Sequence, residues 1–290
     1  MGLKLSRARC TLSSECQVKT GAAMGKKMRN APVYYTIAQV RHNPILSLES
    51  FIPDIQESMR RAGYPDFQKG TSVVLHLGAA NGGEIKPEHA QQQLRFERFT
   101  FSNMESSKSF ILEQNALSYQ ATEYDTFEQF SGEFLKGLAV VHKAITLSFS
   151  TRIGIRYLDA VVPEGGEKNL PKYLIPEVLG LANSLGDDVT VAHSFSETLV
   201  SMPKGKVLSR TILQNSPLGF PPDIQPIGLK IAERFTKINE AHAVIDSDGS
   251  YEAREAFDIG LIEKKLDELH DEITKVFRAI VTPYALGVWK

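Results

Sequence analysis

Two long amphipathic stripes constrain the fold of this 290-residue chain more than any other feature. Apolar residues recur at steps of three and four over residues 126–145 and again over residues 259–281. This spacing is typical of a helix with one apolar side. Each stripe follows a series of strand-like segments, so the pattern predicts two long helices that each cover the apolar face of a sheet.

Segments with alternating apolar and polar residues precede both helices. In the clearest of them, Ile153, Ile155 and Tyr157 alternate with Arg152, Gly154 and Arg156, as expected for a strand with one buried face. Further strands are predicted near residues 33–37, 73–77, 94–101, 109–122, 188–201, 206–214, 230–238 and 241–254. Shorter helices are predicted around residues 48–62 and 172–185.

The order of these elements recurs in the two halves of the chain. Ile52-Pro53-Asp54 and Ile175-Pro176-Glu177 open the two shorter helices, and the long helices superpose at an offset of 135 residues. We therefore predict an α+β fold with internal duplication: two β-α-β(3-4)-α units, residues 31–148 and 149–290, with antiparallel sheets each covered by a long helix. Whether the two sheets join edge to edge stays open at this point.

Residues 1–30 differ in charge from the rest of the chain. They carry seven Lys or Arg against one Glu, a charge of +6. Because the whole chain has a net charge of −1, residues 31–290 have a net charge of −7. Both cysteines, Cys10 and Cys16, also lie there. We predict a disordered basic leader without the apolar segment of a secretory signal, and we leave open whether it has a function. The cysteine-free body and the lack of long apolar runs favour a cytoplasmic protein without a membrane span.

Recognisable catalytic motifs are scarce. The chain has neither a Gly-x-Ser-x-Gly elbow nor a P-loop, and the glycine-rich stretch 77–83 lacks the Lys-Ser/Thr that would hold a phosphate. No two of the seven histidines lie within ten residues, so no local metal site or cofactor is expected. A weak nuclease-like pattern, Asp66 with Glu84 and Lys86, lies in loop-like sequence. The sequence therefore favours a protein that is not an enzyme.

The clearest strand also carries the candidate ligand-binding residues. Arg152 and Arg156 should project from one face with only Gly154 between them, so that two guanidinium groups could hold a phosphate or a carboxylate. Tyr157 and Asp159 complete the candidate set. The competing interpretation is that the arginines pair with acidic residues or lie on a solvated face.

The chain resembles a family of sporadically distributed bacterial proteins of about this length, for which no activity is established. The resemblance rests on the strand entry Ala31-Pro32-Val33, the central strand Arg152-Ile-Gly-Ile-Arg-Tyr-Leu-Asp159, and the closing helix with Leu269-His270 and Phe277. The family's central strand usually ends in Tyr-Ile-Asn, where this chain has Tyr157-Leu158-Asp159. The match spans roughly residues 31–280 and implies the fold more than the function. Sporadic distribution suggests accessory or defence-related genes.

These observations favour a non-enzymatic protein-binding or adaptor protein whose partner is another protein. The alternative is a protein that binds a phosphate-bearing or nucleotide ligand, or an enzyme that acts on nucleic acid. A body charge of −7 opposes binding to a phosphate backbone, so nucleic acid is the less favoured partner. The oligomeric state is not indicated by the sequence.

Overall fold

The structure, a computed structural model, describes residues 30–75, 93–165, 169–186 and 188–290. These residues form nine strands: β1 (Val33–His42), β2 (Asp66–Leu75), β3 (Gln93–Ser102), β4 (Lys108–Glu113), β5 (Ala116–Ala121), β6 (Phe149–Val161), β7 (His193–Met202), β8 (Gly205–Asn215) and β9 (Ala241–Ala256). They also form seven α-helices: α1 (Ile52–Arg61), α2 (Phe127–Ile145), α3 (Leu170–Tyr173), α4 (Pro176–Leu179), α5 (Glu233–Thr236), α6 (Ile259–Ile280) and α7 (Pro283–Val288).

All nine strands described here belong to one antiparallel sheet, in the order β2-β3-β4-β5-β1-β6-β9-β8-β7. The prediction of duplicated units with a sheet each is therefore wrong. The reason lies in β1, which pairs with β5 on one side and with β6 on the other. This pairing satisfies backbone groups that would be exposed at the edges of two separate sheets. The proposed boundary between residues 148 and 149 lies just before β6, inside this continuous sheet.

One side of the sheet, the helix face, is covered by α1, α2 and α6. The two long helices confirm the predicted stripes, and they begin at the caps Thr126 and Asp258, whose side chains accept hydrogen bonds from backbone amides. Glycine allows α2 to approach the sheet closely: a Cβ at Gly137 would lie 2.1 Å from the ring of Phe110. The apolar core on this face includes Leu269, which is fully buried.

The opposite side, the open face, is only partly covered. Residues 216–238 lie across its centre, where Phe235 and Ile238 pack with Tyr34 and Leu158 of the central strands. The strand predicted over 230–238 is wrong, because this segment forms α5 and irregular turns instead. Its large apolar residues Ile231, Phe235 and Ile238 lie four and three positions apart rather than two, and Phe235 and Ile238 bury against the sheet as a cover.

Two further predictions need correction. The helix predicted over 172–185 is broken into α3, α4 and a 3-10 turn (Gly180–Ser184), since Pro176 starts a new helix and Gly180 has a positive φ of 58°. The strand predicted over 109–122 is a hairpin of β4 and β5.

The predicted leader, the glycine-rich stretch 77–83 and the Glu84–Lys86 pattern lie outside the described residues. No helix in the described ranges has the length and apolar character needed to cross a bilayer.

Candidate functional site

The four candidate ligand-binding residues lie on β6, near the middle of the sheet, but on two opposite faces. Successive side chains of a strand alternate between faces. Arg152 and Arg156 project onto the open face, as the sequence predicts, and a Cβ at Gly154 would lie 2.7 Å from Nη1 of Arg152. Tyr157 and Asp159 project onto the helix face. The structure therefore separates the predicted set into two pairs.

On the open face, Arg156 is held by two carboxylates. Its guanidinium donates to Asp246 at 2.6 and 2.7 Å and to Asp223 at 2.7 and 3.1 Å. Asp246 is fully buried, whereas Asp223 lies in the segment that covers this face. Burial opposes the charge of Arg156, but the hydrogen bonds to Asp246 and Asp223 outweigh it and raise the arginine pKa. Arg156 thus fastens the covering segment to the sheet.

The charged network continues from β6 towards β7. Arg152 lies 3.6 Å from Asp248 and 4.0 Å from Glu252, and Arg210 contacts both Asp246 and Glu197. Altogether three arginines meet five carboxylates in this network, a formal charge of −2. Both predicted arginines are therefore engaged by acidic residues, the competing interpretation of the sequence. A role for Arg152 and Arg156 in holding a phosphate stays a prediction.

Strand β7 forms one edge of the sheet, beyond the charged network. Phe195 and Leu199 lie on the same face of β7 as Glu197, and their exposed fractions are 52% and 61%. Among the described residues, the backbone of β7 pairs only with β8. Two large apolar side chains beside an unpaired strand edge make this a candidate surface for another chain.

On the helix face, Tyr157 and Asp159 line a cavity of about 240 Å³. It lies at the seam between the start of α2, the second half of α6 and the strands β1 and β6. Apolar walls come from β1, α2, α6 and α7, namely Val33, Phe127, Ile273, Phe277 and Leu286. Polar groups at the cavity include Tyr124, Asp125, Glu128, His270, Thr274 and Arg278.

A chain of aromatic contacts fixes one wall of the cavity. A hydrogen bond of 3.0 Å joins the Tyr157 hydroxyl to Nδ1 of His270. The His270 ring stacks on Phe127, with 4.1 Å between ring centroids and 5° between planes. Burial lowers the pKa of His270, so the ring is neutral at pH 7. Burial, with a contribution from Tyr124, raises the pKa of Tyr157, so its hydroxyl keeps its proton.

The floor of the cavity carries a carboxylate without a counter-ion. Asp159 is only 7% exposed, and among the described residues no hydrogen bond or ion pair to its side chain is found within bonding distance. Burial raises the pKa of Asp159 to about 7, with a smaller contribution from the charge of Asp246. A buried carboxylate in this position is held near half-protonation at neutral pH, ready for a proton or a cationic partner.

Sequence reasoning missed several of these residues. His270 follows the buried Leu269 on α6 and was not among the predicted site residues, although it lines the cavity and forms a hydrogen bond with Tyr157. Asp223 lies in a loop with no periodic signal. The alternation along β6 could have separated Tyr157 and Asp159 from the arginines, since residues at odd and even positions of a strand lie on opposite faces.

Comparison of the chain with models of protein families finds no match, and comparison with curated proteins finds none either.

Proposed function

We propose that this chain is a non-enzymatic protein-binding or adaptor protein that receives an extended segment of another protein along the outer edge of β7. The observation that carries the proposal is the edge of β7, which pairs with no strand but β8 among the described residues and exposes Phe195 and Leu199. Strand addition to a free sheet edge is a common mode of peptide recognition, in which backbone hydrogen bonds give affinity and alternate side chains give specificity. We place the protein in the bacterial cytoplasm, in an accessory or defence system.

The two edges of the sheet differ in ways that favour β7. Natural edge strands are usually protected by charged side chains, proline, bulges or short length. The other edge, β2, carries Lys69, which contacts Glu49 and Glu97, together with Gly70. Over its ten residues β7 has no lysine, arginine or proline, and its ten register pairs with β8 show no shift. Its one acidic side chain is Glu197, so β7 is a regular strand with a single charged residue near its middle, and a strand of this length can accept a further strand.

The side chains of β7 specify what that further strand should present. Phe195, Glu197 and Leu199 alternate along one face, and residues directly opposite on a neighbouring antiparallel strand interact in pairs. An apolar-x-basic-x-apolar segment would place apolar side chains against Phe195 and Leu199 and a basic one against Glu197. The net charge of −2 in the adjacent network favours a basic segment too.

A second copy of this chain fits the edge less well. If two β7 strands pair about a two-fold axis perpendicular to the sheet, the register that puts Phe195 opposite Leu199 also puts the two Glu197 side chains opposite each other. Like charges directly opposite are destabilising. This geometry favours a partner of different sequence.

The test uses two synthetic seven-residue peptides with the sequence Thr-Val-Thr-X-Thr-Val-Thr, in which X is a charged residue. One carries lysine at the centre and the other glutamate, and each is labelled for fluorescence polarisation. We expect the lysine peptide to bind the protein about tenfold or more tightly than the glutamate peptide. The lysine pairs with Glu197 across the two strands, whereas Glu197 repels the glutamate of the other peptide. The variant Glu197→Lys should reverse this preference.

The control variant is Glu263→Lys, at an exposed position of α6 on the other side of the sheet. It changes the net charge by the same amount, so it should leave the peptide preference as it is. The proposal fails if neither peptide binds, if both bind equally, or if Glu197→Lys leaves the order unchanged. A concentration-dependent dimer that Phe195→Lys abolishes would instead identify a second copy as the occupant.

A further inference from the structure

The cavity on the helix face lies apart from the β7 edge and has a chemistry of its own. We infer that it binds a small organic amine, whose ammonium group pairs with Asp159 and whose apolar body lies against the aromatic walls. This binding function goes beyond the proposed protein-binding role, because β7 and the cavity lie on different parts and faces of the sheet.

The first support is the unpaired carboxylate at the cavity floor. Asp159 is more than nine-tenths buried and lines the cavity, yet among the described residues it has no hydrogen-bond donor or basic side chain within bonding distance. Burying a carboxylate without a partner is costly, and buried charges are normally paired or bound to a cation. An incoming ammonium would supply the missing partner together with up to three hydrogen-bond donors.

The charge around the cavity also favours a cation over an anion. Asp125, Glu128 and Asp159 contribute three carboxylates, whereas Arg278 at the exposed rim contributes one positive charge. His270 is neutral at pH 7 because burial lowers its pKa. Asp125, Glu128 and Arg278 are exposed, and Asp159 is the buried carboxylate. With Asp159 ionised, as it is above pH 7, the formal charge of the lining is −2, which attracts an amine and repels a carboxylate or a phosphate.

The walls and the size of the cavity define the rest of the ligand. Phe127 from α2 and Ile273 and Phe277 from α6 present mainly apolar surface to the cavity. Aromatic rings stabilise a nearby ammonium through cation–π attraction. A volume of about 240 Å³ lies below the roughly 300–1,000 Å³ of pockets that hold drug-sized ligands, so the site suits a small amine rather than a nucleotide.

Amine binding should depend on pH through Asp159. The titratable or charged groups that share the cavity with this carboxylate are Tyr157 from β6, Tyr124, Asp125 and Glu128 from the start of α2 and the residues before it, and His270 and Arg278 from α6. Tyr34 and Asp246 lie on the open face and interact with Asp159 across the sheet. Burial raises the pKa of Asp159 to about 7. Only the ionised form pairs with an ammonium, so affinity should rise about tenfold from pH 6 to pH 8.

The test measures binding of benzylamine, benzyl alcohol and benzoate by isothermal titration calorimetry at pH 8. These probes share one ring and differ in charge, so they separate the cationic group from the apolar body. We expect benzylamine to bind more tightly than benzyl alcohol, and benzoate not to bind. Asp159→Asn, which keeps the shape of the side chain, should weaken benzylamine binding by about tenfold or more, the usual effect of losing a buried charge pair.

Two further variants keep the inference falsifiable. Thr274→Phe fills the cavity from α6 and should abolish binding of benzylamine while leaving Asp159 in place. Asp54→Asn removes an exposed carboxylate from α1 and should leave binding unchanged. The inference is overturned if benzylamine does not bind, if benzoate binds as well as benzylamine, if Asp159→Asn binds benzylamine normally, or if the affinity is the same at pH 6 and pH 8.

Discussion

Asp159 makes the stability of the protein depend on pH in a direction opposite to that of most carboxylates. Burial raises its pKa to about 7 in the folded state, against about 3.9 in an unfolded chain. Between these two values the folded state holds a proton that the unfolded state has lost. The free energy of unfolding contributed by this group is therefore fully present below about pH 4 and is lost as the pH rises towards 7.

The size of this effect follows from the difference between the two pKa values. A difference of about three units at about 1.4 kcal/mol each corresponds to up to about 4 kcal/mol at pH 8. Asp159→Asn cannot ionise and should escape this loss. Its free energy of unfolding should exceed that of the parent protein, and the excess should grow by roughly 2–3 kcal/mol from pH 5 to pH 8.

The assay is urea denaturation of both proteins at several pH values, followed by circular dichroism. Asp54→Asn, at an exposed position of α1, controls for the general pH dependence of unfolding. The difference between Asp159→Asn and the parent should rise with pH, and that between Asp54→Asn and the parent should not. A constant or falling difference for Asp159→Asn would refute the argument that burial of this carboxylate is costly.

Three further predictions concern packing and charge. Arg156→Ala should cost about 3–5 kcal/mol of unfolding free energy, measured by urea denaturation, because it removes two of the three hydrogen bonds that arginines donate to the buried Asp246 and leaves only that from Arg210. Gly137→Ala should lower the free energy of unfolding by about 1–3 kcal/mol, since the added methyl overlaps the buried ring of Phe110. On the same helix, the methyl added by Gly132→Ala meets no atom within 4 Å, so this variant should raise the free energy of unfolding by about 0.5–1 kcal/mol. Leu269→Ala should cost about 2–5 kcal/mol because the side chain is fully buried, and a loss below about 1 kcal/mol would contradict that packing.

Local periodicity was sufficient to predict the elements with the strongest patterns. The stripes over 126–145 and 259–281 gave α2 and α6, and the alternation over 151–157 gave β6 with Arg152 and Arg156 on one face. Helical and strand periods depend on neighbouring residues, which a single sequence displays directly. The order of strands in the sheet does not depend on neighbouring residues. That β1 lies between β5 and β6 depends on contacts between residues about 80 to 120 positions apart, and no local pattern records them.

The candidate sites were predicted only in part for the same reason. Tyr157 and Asp159 were chosen from the strand that carries them, but the cavity that they line is completed by His270, which comes from a helix more than one hundred residues later. Asp223 reaches Arg156 from a loop. The segment 230–238 was predicted to be a strand, yet it packs as a cover over the open face with Phe235 and Ile238 buried, and its large apolar residues recur at steps of four and three rather than two.

Hydrogen–deuterium exchange tests most directly whether another chain pairs with the edge of β7. The lysine-centred peptide described above is added at saturating concentration, and exchange is followed along the whole protein. Strand addition predicts slower exchange of the alternate β7 amides within residues 193–202 that point away from β8, because these amides become hydrogen-bonded to the added strand. Exchange in β2, at the opposite edge, should not change. Unchanged exchange in β7 with the peptide bound, or protection confined to another part of the sheet, would contradict the proposal.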